Sequence, residues 1–288
     1  MTTEEIDQRI KGLRDLNLKN EMSKAIFEEV WDLMKIGYKC IHFPGYHKYV
    51  YRARKNEKTK NKFTFFKHVK KIWCRNPEDV LDFGRVHWPK HPVFYCSGSL
   101  KTAILEIKPD YHGLVTVMRC RRKNSHKIES VAFGFPDRAK FIDGKGKIIN
   151  WGEYKEVKIG LSKGQAQKNN KIDRFLNEVY RDEDKNIDSY GDDKYKITAA
   201  IAKMYFDNPA KNSHKLDCIC YPSVSEVKGA TNYAFTKRVA DTILEPDSFY
   251  VFEICPGEKF GKFALKLICF SMNVDMTGKI AWENIIIK

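Results

Sequence analysis

The chain has 288 residues, 42% of them hydrophobic, and its 52 Lys and Arg against 37 Asp and Glu give a formal net charge of +15. This composition excludes a chain too polar to bury a core, and it predicts either one large globular domain or one domain with an extension. The apolar runs are far shorter than the roughly 18 residues that a membrane span needs, and the charged N-terminus has no signal-peptide core, which predicts no membrane association and a cytoplasmic location.

The charge predicts an affinity for polyanions without choosing among nucleic acid, an acidic partner protein and a phosphate-bearing ligand. The eight cysteines lie mostly in apolar, strand-like runs and form no CxxC pair, so we expect reduced, buried thiols and no metal site. His87 and His91 are four residues apart, but prolines interrupt and flank that segment, so they do not predict a metal site either.

Residues 3–36 show a helical pattern, with Met22, Ile26, Val30 and Leu33 on one stripe, and predict an N-terminal helical extension over residues 1–36. A strand follows, in which Tyr49, Tyr51 and Ala53 face one side and Val50, Arg52 and Arg54 the other. Further strands are predicted at residues 114–120, 216–222, 249–255 and 263–270, and a helix at residues 195–206. Because strands and helices mix without regular alternation, we predict an α+β fold.

The polar stretch at about 55–71 predicts an insertion in this α+β domain. It belongs to a basic run, residues 52–75, in which aromatic residues are interleaved with lysines and arginines. Such a run could line a nucleic-acid strand, or it could simply be solvated.

The segment PVFYCSGSLKTAILEI, residues 92–107, predicts a strand from Pro92 to Cys96, then turn and helix N-cap residues, then a helix. On the helical wheel, Glu106 lies at the margin of the apolar face, on the flank that also carries Ser99 and Thr102. Glu106 is therefore either a carboxylate at the edge of the core beside small hydroxyls or an ordinary solvated helix residue.

The sequence contains no GxGxxG, GxxxxGK[ST], HExxH or GxSxG motif, so the usual supports for a Rossmann dehydrogenase, a P-loop NTPase, a zincin and an α/β-hydrolase are missing. Three pieces instead occur in order: YRAR at 51–54, GRVHWPKHPVFYCSGSLKTAILE at 84–106, and a helix followed by LDCICYPSVSEVKGATNYAF ending at 235. Together they resemble the RES domain family over roughly residues 40–255. The family positions are Arg52, Arg85, Tyr95, Glu106, Tyr221, Ser223 and Asn232.

This resemblance implies a fold similar to the ADP-ribosyltransferase toxins and an NAD-binding catalytic domain over residues 37–288. It also implies NAD as substrate, no metal, inorganic phosphate as a co-substrate in some members, and in many members an antitoxin that plugs the active site. The resemblance makes Glu106, Arg52 and Ser223 the catalytic candidates. Arg52, Arg85, Tyr95, Ser223 and Asn232 are the NAD-binding candidates.

Each role has a plainer alternative from local sequence. Arg52 with Arg85 could clamp the pyrophosphate through bidentate contacts, or Arg52 could be a solvated strand residue. Tyr95 could stack on a ligand ring or be a core aromatic, and Ser223 could bond the nicotinamide amide or ribose or be a turn residue. Asn232, in GATN, has ordinary turn and N-cap sequence.

Two features depart from the family pattern. VHWPKHP replaces the glycine-containing continuation of the GR loop, and the chain is longer than the compact, antitoxin-paired members. The N-terminal helix could cover the site, mediate oligomerisation or dock a partner.

The predicted function is cleavage of the nicotinamide–ribose bond of NAD, by an NAD phosphorylase or glycohydrolase. The alternatives are transfer of ADP-ribose to a macromolecule and nucleic-acid binding by residues 52–75 without catalysis.

Overall fold

A computed structural model describes residues 1–20, 23–38, 42–45, 49–59, 62–123, 128–136, 162–181, 193–207, 216–224, 230–257 and 263–284. The α-helices in these ranges are α1 (Thr3–Asp15), α2 (Ser23–Asp32), α3 (Leu100–Glu106), α4 (Lys163–Arg181), α5 (Lys196–Asp207) and α6 (Lys237–Ile243). The strands are β1 (His42–Gly45), β2 (Tyr49–Lys55), β3 (Lys58–Thr59), β4 (Lys62–Phe63), β5 (Val93–Ser97), β6 (Leu114–Arg122), β7 (Ile128–Ala132), β8 (Cys218–Pro222), β9 (Thr231–Thr236), β10 (Leu244–Pro256), β11 (Phe263–Ser271) and β12 (Glu283–Asn284).

Ten of the described strands form one sheet in the order β1-β7-β8-β9-β5-β2-β6-β10-β11-β12, and β3 pairs with β4 in a separate hairpin. Only the β7–β8 pairing is parallel; the other neighbours are antiparallel. The α+β class expected from the sequence is confirmed. None of the helices in the described ranges is both long and apolar enough to cross a bilayer.

The helices cover the sheet on both faces. On one face, α1, α2, α4 and α5 pack over β7, β8 and β9 in one apolar cluster, and α3 packs over β2, β6 and β10 in a second. On the other face, α6 and the aromatic residues Phe66, Trp73 and Trp282 cover a third cluster. The first two helical layers therefore flank the middle of the sheet, where β5 and β2 are neighbours.

The N-terminal helical region is two helices rather than one. A capping box starts α1, because the Thr2 hydroxyl accepts from the Glu5 amide at 3.2 Å and the Glu5 carboxylate accepts from the Thr2 amide at 2.6 Å. Ile6 and Ile26 are almost fully buried. They belong to the cluster that also contains residues of α4 and α5, so both helices complete the main core. The expected stripe residue Met22 lies outside the described residues.

The segment at 55–71 is partly structured. Its first half contains the β3–β4 hairpin, and its second half pairs with the C-terminal chain through a bridge between His68 and Lys279. The Trp282 indole donates to the Phe66 carbonyl at 2.9 Å. Ile72, just after the segment, has no exposed surface, so this region is anchored to the core rather than solvated throughout.

The strand-turn-helix reading of residues 92–107 is confirmed. Ser99 is the N-cap of α3, with its hydroxyl accepting from the Thr102 amide at 3.1 Å. The seven described cysteines are free thiols; Cys40 lies outside the described residues.

Candidate functional site

The site begins where strands β2 and β5 separate. They are paired through one residue couple, Tyr51 with Ser97, whereas β2 stays paired with β6 along its whole length and β5 with β9. Beyond Tyr51 the sheet therefore opens between two central strands. A gap of this kind leaves main-chain groups that a neighbouring strand would otherwise satisfy.

Arg52 bridges this gap. Its Nε donates to the Ile72 carbonyl at 2.6 Å and its Nη1 to the Tyr95 carbonyl at 2.8 Å. The guanidinium carbon lies 5.1 Å from the centre of the Phe94 ring. Burial lowers the pKa of Arg52 below its usual value. The structure thus places Arg52 at the site, with at least two of its donors committed to the main chain.

A cavity of about 410 Å³ fills the opening. Its wall carries five basic side chains and one carboxylate, from Arg52, Arg54, Lys55, Arg75, Arg85 and Glu106. Tyr95, Tyr221 and Asn232 also line it, so six of the seven positions that carried the family resemblance meet at one cavity. Ser223, the seventh, is held against Glu106.

Glu106 is the last residue of α3, and its side chain is 14% exposed. Its Oε2 accepts from Arg85 Nη1 at 2.9 Å. Its Oε1 accepts from the Ser223 hydroxyl and from the Val224 amide, the latter at 2.9 Å. A carboxylate has about four lone-pair sites, so these three donors leave about one for a ligand hydroxyl.

The hydroxyl beside Glu106 is not one of those that the helical wheel suggested. Ser99 and Thr102 bond to each other at 2.8 Å. Ser223, which directly follows β8, supplies the contact instead. The predicted position of Ser223 at the end of a strand is therefore correct. The alternative that Glu106 is a solvated helix residue is wrong, because three donors surround its carboxylate.

Tyr95 organises the loop that carries Arg85. Its hydroxyl accepts from the Val86 amide at 2.7 Å and lies 2.8 Å from His87 Nδ1. Burial raises the pKa of Tyr95, so the phenol stays protonated. Its O–H therefore donates a hydrogen bond to His87 Nδ1. The same loop is closed by two main-chain bonds between Gly84 and His87. The altered GR loop is therefore a fixed turn that holds Arg85 toward Glu106.

Asn232 lies in strand β9, opposite Ser97 on one side and Tyr221 on the other. The turn and N-cap reading of GATN is wrong at this residue, because β9 begins at Thr231 and pairs along both edges. Asn232 is 1% exposed, and its Oδ1 accepts from the Ser97 hydroxyl at 2.6 Å. Its Nδ2 has no hydrogen-bond partner among the described residues. A buried amide donor without a partner is costly, and Asn232 is one of the residues that line the cavity.

Sequence reasoning did not identify several cavity residues. Tyr195, directly before α5, places its ring 5.8 Å from the Arg85 guanidinium. Arg75 and Ser97 also line the wall. No short motif marks these positions, since they reach the cavity through the chain topology. Tyr221 stacks on Tyr180 with ring centres 5.3 Å apart, which fixes it as part of the buried floor.

His87 and His91 do not share a ligand. His87 contacts Tyr95, while His91 stacks on Trp88 with ring centres 4.3 Å apart. Within the described part of the chain, no group of three or more His, Cys, Asp or Glu side chains is arranged to hold a metal ion.

Comparison with known protein families, curated proteins and solved structures found no match to this chain. The resemblance to the RES family therefore stays a prediction that depends on the ordered motifs and on the meeting of their residues at one cavity.

Proposed function

We propose that this cavity cleaves the nicotinamide–ribose bond of NAD and transfers the ADP-ribosyl group to inorganic phosphate or water. The observation that carries the proposal is the Glu106 carboxylate, fixed by Arg85, Ser223 and Val224 at the edge of a cavity with five basic side chains. NAD offers a pyrophosphate to the cations and a cationic nicotinamide ribose to the carboxylate.

The reaction needs stabilisation of positive charge on the ribose. As the C1′–N bond breaks, its electron pair moves to the nicotinamide nitrogen and neutralises the pyridinium ring, so no proton is needed on the leaving group. The ribose passes through an oxocarbenium-like transition state, which a nearby carboxylate stabilises. An oxygen of phosphate or water then forms the new bond at C1′; with water, a proton is released to solvent.

The other residues prepare this carboxylate and the ligand. Three donors hold Glu106 in one orientation, and such preorganisation lowers the cost of reaching the transition state. The unpartnered Nδ2 of Asn232 can donate to the carboxamide oxygen or a ribose hydroxyl. Ser223 acts as a positioning residue for Glu106 in this scheme and forms no covalent intermediate.

The opening of the sheet between β2 and β5 also supports the proposed relation to the ADP-ribosyltransferase fold, because a cleft between separated strands can admit an extended dinucleotide. An antitoxin or other inhibitor protein that covers this cleft is a partner of the kind that the resemblance implies. A second copy of the chain, joined through the N-terminal helices, is another candidate partner. A cytoplasmic location, where NAD is available, is part of the same proposal.

Transfer of ADP-ribose to a macromolecule would use the same Glu106 chemistry and remains an alternative.

The aromatic residues of the basic run, residues 52–75, do not favour a surface on which nucleic-acid bases stack. Phe66 and Trp73 pack on the core, and the Phe65 ring contacts Trp282. Few rings are left for stacking on bases.

The direct test is incubation of the purified protein with NAD, with and without phosphate, followed by mass spectrometry. Nicotinamide plus phosphorylated ADP-ribose would identify a phosphorylase, and free ADP-ribose in both buffers a glycohydrolase. Glu106→Gln keeps the shape of the side chain and should abolish either product. Intact NAD with the wild-type protein, and no labelled acceptor after addition of lysate, would refute an NAD-cleaving function.

A further inference from the structure

A second cavity, of about 890 Å³, adjoins the first. Arg54 and Arg75 line both cavities. Arg54 follows Arg52 by two residues in β2, so the two side chains leave the strand on the same face. The shared residues therefore lie where the sheet opens, and the two cavities meet there.

Four cations of the second cavity have no carboxylate within salt-bridge distance in the described part of the chain. Arg54, Lys70, Lys71 and Arg75 form no salt bridge in the described residues, and Arg54 donates only to the Lys71 carbonyl. Lys237, the fifth cation, is paired with Asp241 at 2.6 Å. Asp241 also accepts from the Trp73 indole at 2.7 Å.

The remaining carboxylates do not neutralise this cluster. Glu57 and Asp79 line the same cavity, and neither forms a salt bridge with the four cations in the ranges that the structure describes. The pKa of Arg54 is lowered, first by burial and then by the charge of Arg75, while Glu57 offsets only part of this. Arg54 is half-buried, whereas Lys70, Lys71 and Arg75 are exposed. Like charges held this close repel each other, and a bound anion relieves that repulsion.

We infer that Arg54, Lys70, Lys71 and Arg75 form a phosphoryl-binding site at the junction of the two cavities. This inference rests on the proposed function and deepens it. The sequence predicts that Arg52 and Arg85 clamp the phosphates, but Arg52 donates to two main-chain carbonyls and Arg85 to Glu106. Other cations are therefore needed for the phosphoryl group. Two guanidinium groups and two ammonium groups suit the several oxygens of a phosphoryl anion. The phosphoryl group belongs either to the dinucleotide itself or to inorganic phosphate as co-substrate.

Binding can be measured without any turnover. The wild-type protein is titrated calorimetrically with inorganic pyrophosphate, inorganic phosphate and ADP-ribose, beside Arg75→Gln and the double variant Lys70→Gln, Lys71→Gln. Arg75 is exposed, so its replacement leaves the fold intact. Lys11→Gln, on exposed α1 surface, removes the same charge elsewhere and is the matched control.

Loss of one charge-assisted contact in Arg75→Gln, or of two in the double lysine variant, should raise the dissociation constant about tenfold or more. Lys11→Gln should change it by less than about twofold. Added salt should weaken binding by the wild-type protein. Equal affinities in all four proteins, or no binding of any of the three anions, would overturn the site.

Two further measurements distinguish whether the bound phosphoryl group belongs to the dinucleotide or is inorganic phosphate. If it belongs to the dinucleotide, ADP-ribose displaces pyrophosphate and Arg75→Gln raises the KM for NAD. If it is inorganic phosphate, the KM for phosphate rises instead. Failure of the proposed function can be told apart from failure of the binding site. If the protein leaves NAD intact but binds pyrophosphate through Arg75, the binding site is supported and the proposed reaction is refuted. If the protein cleaves NAD and no substitution of these cations changes the kinetics, the reaction is supported and the binding site is refuted.

Discussion

Arg52 is a half-buried cation that donates to two main-chain carbonyls. Replacement by Met keeps most of the side-chain volume but leaves the Ile72 and Tyr95 carbonyls without a donor. Each orphaned group costs about 1–3 kcal/mol, so we expect Arg52→Met to lower the free energy of unfolding by about 3 kcal/mol. Urea denaturation measures this, with exposed Arg121→Met as the control at under about 1 kcal/mol.

An unchanged urea midpoint in Arg52→Met together with loss of NAD cleavage would show that Arg52 acts mainly on the ligand.

The sequence could not distinguish a structural role of Arg52 from a ligand-binding role. It predicts correctly that Arg52 and Arg54 share a face of β2, but the separation of β5 from β2, which gives Arg52 its carbonyl partner, depends on long-range pairing.

Asn232 gives a different balance between stability and function. Its Nδ2 is buried and has no partner among the described residues, so Asn232→Ala removes a costly donor, and this gain offsets the loss of the bond between Oδ1 and the Ser97 hydroxyl. We expect a change of no more than about 1 kcal/mol in unfolding free energy, and about a tenfold rise in the KM for NAD. A large loss of stability with an unaltered KM would mean that the amide serves the β8–β9 pairing alone.

At the scale of elements, the loop of residues 84–88 depends on the Tyr95 hydroxyl. Tyr95→Phe keeps the ring but removes the acceptor of the Val86 amide and the donor to His87. We expect a loss of about 1–2 kcal/mol in stability and a lower kcat, because the loop positions Arg85. If the ring instead stacks on the ligand, Tyr95→Phe leaves kcat and KM near wild type while Tyr95→Leu raises the KM.

The same loop should make stability depend on pH. Burial, with a smaller contribution from the charge of Arg75, lowers the pKa of His87 to about 4, against an ordinary value near 6.5. Between these values the unfolded chain binds the proton and the folded chain does not, so stability is full above about pH 6.5 and falls toward pH 4, by up to about 3 kcal/mol.

Denaturation midpoints at pH 7 and pH 5 measure this effect. His87→Asn should remove most of the difference, whereas His112→Asn, at an exposed position, should keep it. Equal slopes in the wild type and His87→Asn would assign the acid sensitivity to other groups.

The elements differ in how much the sequence could predict. The sequence predicts the α3 helix correctly because its N-cap and apolar spacing are local signals. The α4 helix was missed, although Ile172, Phe175, Leu176 and Val179 have helical spacing, because the polar composition of residues 121–194 hid that pattern. Strand β9 was missed because GATN was interpreted as a turn, although the Thr, Tyr and Phe residues of TNYAFT favour a strand.

For the whole molecule, α1 and α2 stabilise the part of the sheet, strands β7, β8 and β9, from which Ser223 and Asn232 reach the site. Ile6 and Ile26 are 0% and 1% exposed and share a cluster with Phe175 and Ile197. Removal of residues 1–36 would expose this apolar surface. We expect the truncated chain to lose cooperative thermal unfolding and to aggregate, rather than to become a freely active catalytic domain.

A milder change tests the same point without truncation. Ile26→Ala leaves a cavity between α2 and α5, and such replacements cost about 2–5 kcal/mol. Ala25→Ser, at the exposed neighbouring position of the same helix, should change stability by under about 0.5 kcal/mol. If Ile26→Ala unfolds with the wild-type midpoint and NAD cleavage rises, the helices act as a removable cover over the site. If the midpoint falls and the remaining folded protein keeps its kcat, they belong to the core on which the site is built.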